Sequence, residues 1–131
     1  MKRSALVLLV AGMTVFGAQA FAHHSFAATY FEDREMTIEG ELVQFLYRNP
    51  HSFVHVTALD PAEKSGQTYR WAVEWGGGGQ LGQQGVTRST LKPGDHVIIT
   101  GSPGRNPGDH RLRMRTIFRP RDGWRWGGVV D

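Results

Sequence analysis

The sequence predicts an all-β domain. Three observations carry this: short segments in which apolar and polar residues alternate, turn-forming clusters of Gly, Pro, Asn and Asp between them, and one glycine-rich interruption between the third and fourth segments. Five short strands with one short helix or loop between strands 3 and 4 is the order of an OB-like barrel, a partly open five-stranded Greek key. Closure suits so short a chain because it leaves few exposed edges. A small open sandwich is compatible with the same strand order.

The first strand is expected from Met36 to Tyr47, where Met36, Ile38 and Leu42 alternate with Thr37, Glu39 and Glu41 and Gly40 marks a bend or bulge. Arg48-Asn49-Pro50 ends it, since Pro50 lacks an amide hydrogen and biases Asn49 away from helix. The second strand is Ser52 to Leu59, rich in β-branched and aromatic residues, and residues 60 to 66 are a polar turn. The third, Thr68 to Trp75, places Tyr69, Trp71, Val73 and Trp75 on one face and Glu74 on the other, exposed side.

Gly76 to Gly79 interrupts the pattern, because glycine has no side chain to pack and a high entropic cost of ordering. A short helix is expected within Gln80 to Leu91, with Thr87 as a candidate cap. Lys92-Pro93-Gly94-Asp95 is a turn. His96 to Thr100 is the fourth strand, residues 101 to 108 are a loop, and His110 to Phe118 is the fifth strand. Residues 119 to 131, with Trp124 and Trp126 among glycines, show no period and are expected to be a loose basic and aromatic tail.

The N-terminal segment reads as an export signal. Lys2 and Arg3 precede an apolar run from Ala5 to Phe16, too short for a comfortable membrane span, and Ala20-Phe21-Ala22 is the small-x-small pattern cut by signal peptidase. Residues 1 to 22 are therefore expected to be removed, leaving a single periplasmic or secreted domain over residues 23 to 118 followed by the tail, with no membrane span. Loss of Lys2 and Arg3 lowers the formal charge from +3 to +1. The remaining charge is uneven: residues 105 to 131 carry seven Arg against three Asp, whereas residues 23 to 104 carry six basic against nine acidic residues. The chain has no cysteine, which excludes disulfides, thiolate metal sites and cysteine nucleophiles.

Four blocks carry a resemblance. His-His-Ser-Phe at 23 to 26, Asn49-Pro50-His51, Trp71-Ala72-Val73-Glu74 and Thr90-Leu91-Lys92-Pro93-Gly94-Asp95 resemble the signature of a family of small exported bacterial proteins catalogued as a domain of unknown function. The resemblance implies a periplasmic β-rich domain and no particular activity. The chain departs from the family where Gly76 to Gly79 and Gln80-Leu81-Gly82 replace a better helix former after the third strand.

Cleavage after Ala22 would make His23 the first residue, and its α-amine and ring nitrogen form a chelating pair. A second imidazole completes a T-shaped set of three nitrogens, the histidine brace, whose planar donors suit Cu(II). His51 is the expected partner, His55 falls on the same strand face, and His24 offers a second mode through the amine, the intervening amide and its own ring. His96 and His110 are read as isolated hydrogen-bonded residues. A second candidate surface is the row Arg111, Arg113 and Arg115 with Trp124 and Trp126, which could bind an anionic glycan, a lipid headgroup or a protein partner. Export argues against nucleic acid, and long side chains covering a solvated barrel face are the favoured reading of such a row. No Ser-His-Asp spacing, carboxylate pair or phosphate loop is present, so a binding or accessory protein is expected before an enzyme.

Overall fold

The computed structural model describes residues 26–128. Among the described residues, five strands, β1 (Met36–Leu46), β2 (Phe53–Leu59), β3 (Thr68–Glu74), β4 (His96–Pro103) and β5 (Arg111–Arg119), carry a helix, α1 (Gly78–Gln83), between β3 and β4 and a 3-10 turn at Pro107–Asp109 between β4 and β5, and are followed by β6 (Trp124–Trp126). β1, β2 and β3 form an antiparallel meander, β1 also pairs with β4, and β4 pairs with β5. The barrel closes where β3 and β5 run parallel, with Ala72, Val73 and Glu74 opposite Arg111, Leu112 and Arg113. This circular order, β1-β2-β3-β5-β4, is the OB-type barrel expected from the sequence. No helix among the described residues is long and apolar enough to cross a membrane.

β1 is long because it serves two neighbours. Its first half pairs with β4 and its second half with β2, and the register slips between Leu42 and Gln44. Gly40 sits where the strands approach most tightly: a Cβ there would lie 2.0 Å from the Thr57 carbonyl oxygen. Strand alternation sends Ile38, Leu42, Val54, Val56, Trp71, Val73, Val97, Ile99, Leu112 and Ile117 into the core, all essentially buried.

The helix differs from the expectation in place and in capping. It begins at Gly78, within the glycine run, and Gly77 caps it without a side-chain hydrogen bond. Gly78 lies against the Tyr47 ring, whose hydroxyl donates to the Gly78 carbonyl at 2.6 Å. The helix ends in a Schellman arrangement: Val86 N–H donates to Leu81 O, Gly85 N–H donates to Gly82 O, and Gly85 takes the left-handed φ of 81°. Leu81 and Val86 are both buried, so this clasp closes one end of the barrel. Thr87 is not its cap; its N–H donates to Thr90 Oγ1.

The tail is also corrected. Trp124–Trp126 pairs with Ile117–Arg119 as β6, because the turn at Gly123, with φ of 73°, returns the chain onto β5. Arg119 anchors that turn, donating to Asp122 and to the buried Asp95. β5 itself starts at Arg111, since His110 adopts a left-handed φ of 46° that strand geometry excludes.

Candidate functional site: the cleft at His51

Residues 26 to 35 lie across the outer face of the barrel. A helical turn at 26 to 29 leads into Tyr30, which is fully buried and bridges to Gly104. The arginines of β5 and its preceding loop hold this segment down. Arg113 lies 3.9 Å from the Phe26 ring centroid and pairs with Glu32 at 3.1 Å. Arg115 pairs with Glu35 at 3.1 Å and donates to the Glu32 carbonyl, and Arg105 donates to the Ala27 carbonyl.

Glu74 sits beneath the segment. It lies on the outer face of β3, as alternation requires, yet its side chain is only 14% exposed because the N-terminal segment covers it. The exposed position expected for it is thus corrected: period-two alternation separates the barrel's inside from its outside and carries no information about a segment laid over the outside. Glu74 accepts a short hydrogen bond from the Tyr30 hydroxyl, and Arg111 Nη2 lies 3.5 Å from the same carboxylate oxygen. Burial, then the Glu74 hydrogen bond and charge, push the Tyr30 phenol well above its usual pKa.

The other Glu74 oxygen, Oε1, is 3.3 Å from His51 Nδ1. The approach is a charge contact without hydrogen-bond geometry; a carboxylate on that side favours a proton on Nδ1 and leaves Nε2 with the lone pair, the side on which outer carboxylates flank metal-binding imidazoles. The Phe26 ring meets His51 edge-on at 5.5 Å, and His51 remains 39% exposed. His51, Phe26, Glu74, Trp75, Met114 and Trp126 line one cleft of about 310 Å³. Trp126 packs edge-on to Trp75 at 5.0 Å and donates to Gln84. The Trp75 indole N–H is buried without a hydrogen-bond partner.

The structure therefore brings together His51, Arg113 and Trp126, which the sequence assigned to two separate sites. His55 is not brought to this cleft. Arg70 Nε donates to its Nδ1 at 3.4 Å, and burial, then Arg70 and Arg48, lower its pKa. Trp124 lies under Arg119, and His96 pairs with Glu39 at 2.8 Å on the surface. His23 and His24 lie outside the described residues. Each arginine of the row faces a carboxylate, Arg111 with Glu74, Arg113 with Glu32 and Arg115 with Glu35, so its charge is directed at the protein's own segment. Phe26 and Glu74 stand inside the blocks that carry the family resemblance, and Tyr30 and Met114 do not; only contacts reveal Phe26, Glu74 and Met114 as cleft residues and Tyr30 as the buried partner of Glu74.

Residues 11–113 match the model of a family of unknown function, DUF6152. The chain belongs to this family. The match spans most of the barrel, including His51 and Glu74, and it stops at Arg113. No curated protein matches the chain. Among solved structures, the mitochondrial single-stranded DNA-binding protein Rim1 of S. cerevisiae is similar at 15% identity and a TM-score of 0.47, over 66% of this chain and 93% of that one.

Proposed function

We propose that the protein is an exported binding protein, periplasmic or secreted, that holds copper between an N-terminal His23 and His51. The observation that supports this most is the contact of Phe26 with His51 at 5.5 Å. His23 lies three positions before Phe26, and three extended residues span at most about 11 Å. A chain cut after Ala22 would therefore begin within reach of the cleft. The α-amine and ring of His23 would supply two nitrogens and His51 Nε2 the third, a set that suits Cu(II). Met114 lines the same cleft, and a thioether nearby favours Cu(I).

The residues divide the work. Glu74 orients His51, Tyr30 and Arg111 hold Glu74, and Arg113 with Phe26 delivers the N-terminus. Reading the Arg111 to Arg115 row as an open anion-binding face has less support, because all three guanidinium groups meet carboxylates.

Mass spectrometry of the exported chain should give a mass beginning at His23 with a free amine, and that chain should bind one Cu(II). A chain produced to begin at Ser25 should lose this binding. A natural start elsewhere, or equal binding by both chains, rejects the proposal.

A further inference from the structure

A second cluster of metal-ligating side chains stands at the opposite end of β3 from the His51 cleft. Tyr69 lies near one end of β3 and Trp75 just past the other, six residues apart, or roughly 20 Å along an extended chain. At the Tyr69 end, one nitrogen of His110 and one carboxylate oxygen each from Asp60 and Glu63 all lie within 4.8 Å of one another. It is the one such group among the described residues, and His51 and His55 are not part of it.

Each ligand is held by contacts that leave a donor atom available. Asp60 Oδ1 accepts the Ala62 N–H at 2.9 Å, while its Oδ2 faces His110 Nε2 at 3.3 Å. Glu63 Oε2 accepts from the Tyr69 hydroxyl at 2.6 Å and from Ser65, which leaves Oε1. The His110 ring stacks on Tyr69 at 3.9 Å and meets Trp71 edge-on at 5.1 Å, so it is fixed in plane and direction.

One further observation points to a ligand. His110 Nε2 is buried with no hydrogen-bond partner, since its approach to Asp60 lacks hydrogen-bond geometry. Native proteins seldom leave such an atom unsatisfied. We propose that Asp60, Glu63 and His110 bind one divalent transition-metal cation of the zinc class, through one nitrogen and two carboxylate oxygens.

The chemistry of the donor set fixes that class. One imidazole excludes an all-oxygen calcium site, and the absence of thiolate excludes the soft structural zinc sites. A metal about 2.0–2.2 Å from each donor holds the donors roughly 3–4 Å apart, a modest contraction of the observed cluster. Three protein ligands leave a fourth position for water, and Glu63 stands at the solvent edge.

The test uses the chain beginning at Ser25 and carrying His51→Ala, so that neither the N-terminal histidines nor the His51 cleft competes and the failure of that site is read separately. Zn²⁺ titration should give one equivalent bound, with Asp60→Asn and Glu63→Gln each weakening it on the order of 10-fold or more. Co²⁺ should bind the same site and quench tryptophan fluorescence, and Trp71→Phe should remove most of the quenching. Glu63 is exposed, so Glu63→Gln should keep the fold, as circular dichroism would verify. No Zn²⁺ binding by the parent chain, or equal binding by a folded Glu63→Gln variant, overturns the proposal and leaves His110 and Asp60 as an ion pair.

Discussion

Phe26 stands edge-on to His51 at 5.5 Å, with the Arg113 guanidinium 3.9 Å from the centroid of the same phenyl ring. One aromatic side chain thus ties the N-terminal segment both to the candidate ligand and to β5. Phe26→Ala should cost about 1–2 kcal/mol, since it removes a half-buried ring and a cation–π contact. The local effect should exceed the global one. Hydrogen exchange should quicken at the amides of Phe31 and Arg105, which bond the Pro103 and Thr29 carbonyls, while the β1–β4 amides keep their protection.

Tyr30→Phe removes the hydroxyl that donates to Glu74 and should cost about 1.5–3 kcal/mol, the range for hydrogen bonds to charged groups. Its pH dependence has a definite sign. The Tyr30 pKa is raised on folding, so its contribution is complete below the ordinary value of 10.0 and is lost as pH rises beyond it, where the unfolded chain ionises first. Urea denaturation at increasing alkaline pH should show wild type losing stability faster than Tyr30→Phe; parallel curves would contradict this.

Asp122 predicts the opposite limb. Its hydrogen bond with Arg119 holds the carboxyl down at about 2, below the ordinary 3.8. The stabilisation is present above pH 3.8 and lost as pH falls toward about 2. Thermal melts across that window should fall more steeply for wild type than for Asp122→Asn.

Gly40→Ala should be among the costly small substitutions, roughly 1–3 kcal/mol, because the added methyl would meet the Thr57 carbonyl at 2.0 Å and backbone must move. Chemical denaturation measures it, and a neutral Ala would show that β1 and β2 can separate there without loss.

The barrel was legible because inward and outward positions alternate along β1 to β5, and each break carries a turn residue. The helix was less so. Gly78 and Gly82 are poor helix formers in isolation, and their place depends on the Tyr47 ring and on the Leu81–Val86 contact, which no local pattern encodes. Trp124 to Trp126 had no readable period because three residues are too few to show one. In the candidate site, Asn49-Pro50-His51 singled out His51, which lines the cleft. Glu74 was misread because its cover comes from a segment more than forty residues away in sequence, joined through Tyr30. The His110 cluster was invisible for the same reason: Asp60 and His110 meet only once β3 and β5 close the barrel.

In the proposed copper site the His51 imidazole is a ligand, flanked by Glu74 and within reach of an N-terminus at His23. Electron paramagnetic resonance of Cu(II) bound to the chain beginning at His23 tests it most directly, by comparing wild type with His51→Ala. Wild type should show hyperfine structure from three nitrogens, with one nitrogen and at least about 10-fold in affinity lost in the variant. An unchanged spectrum and affinity in His51→Ala would contradict it.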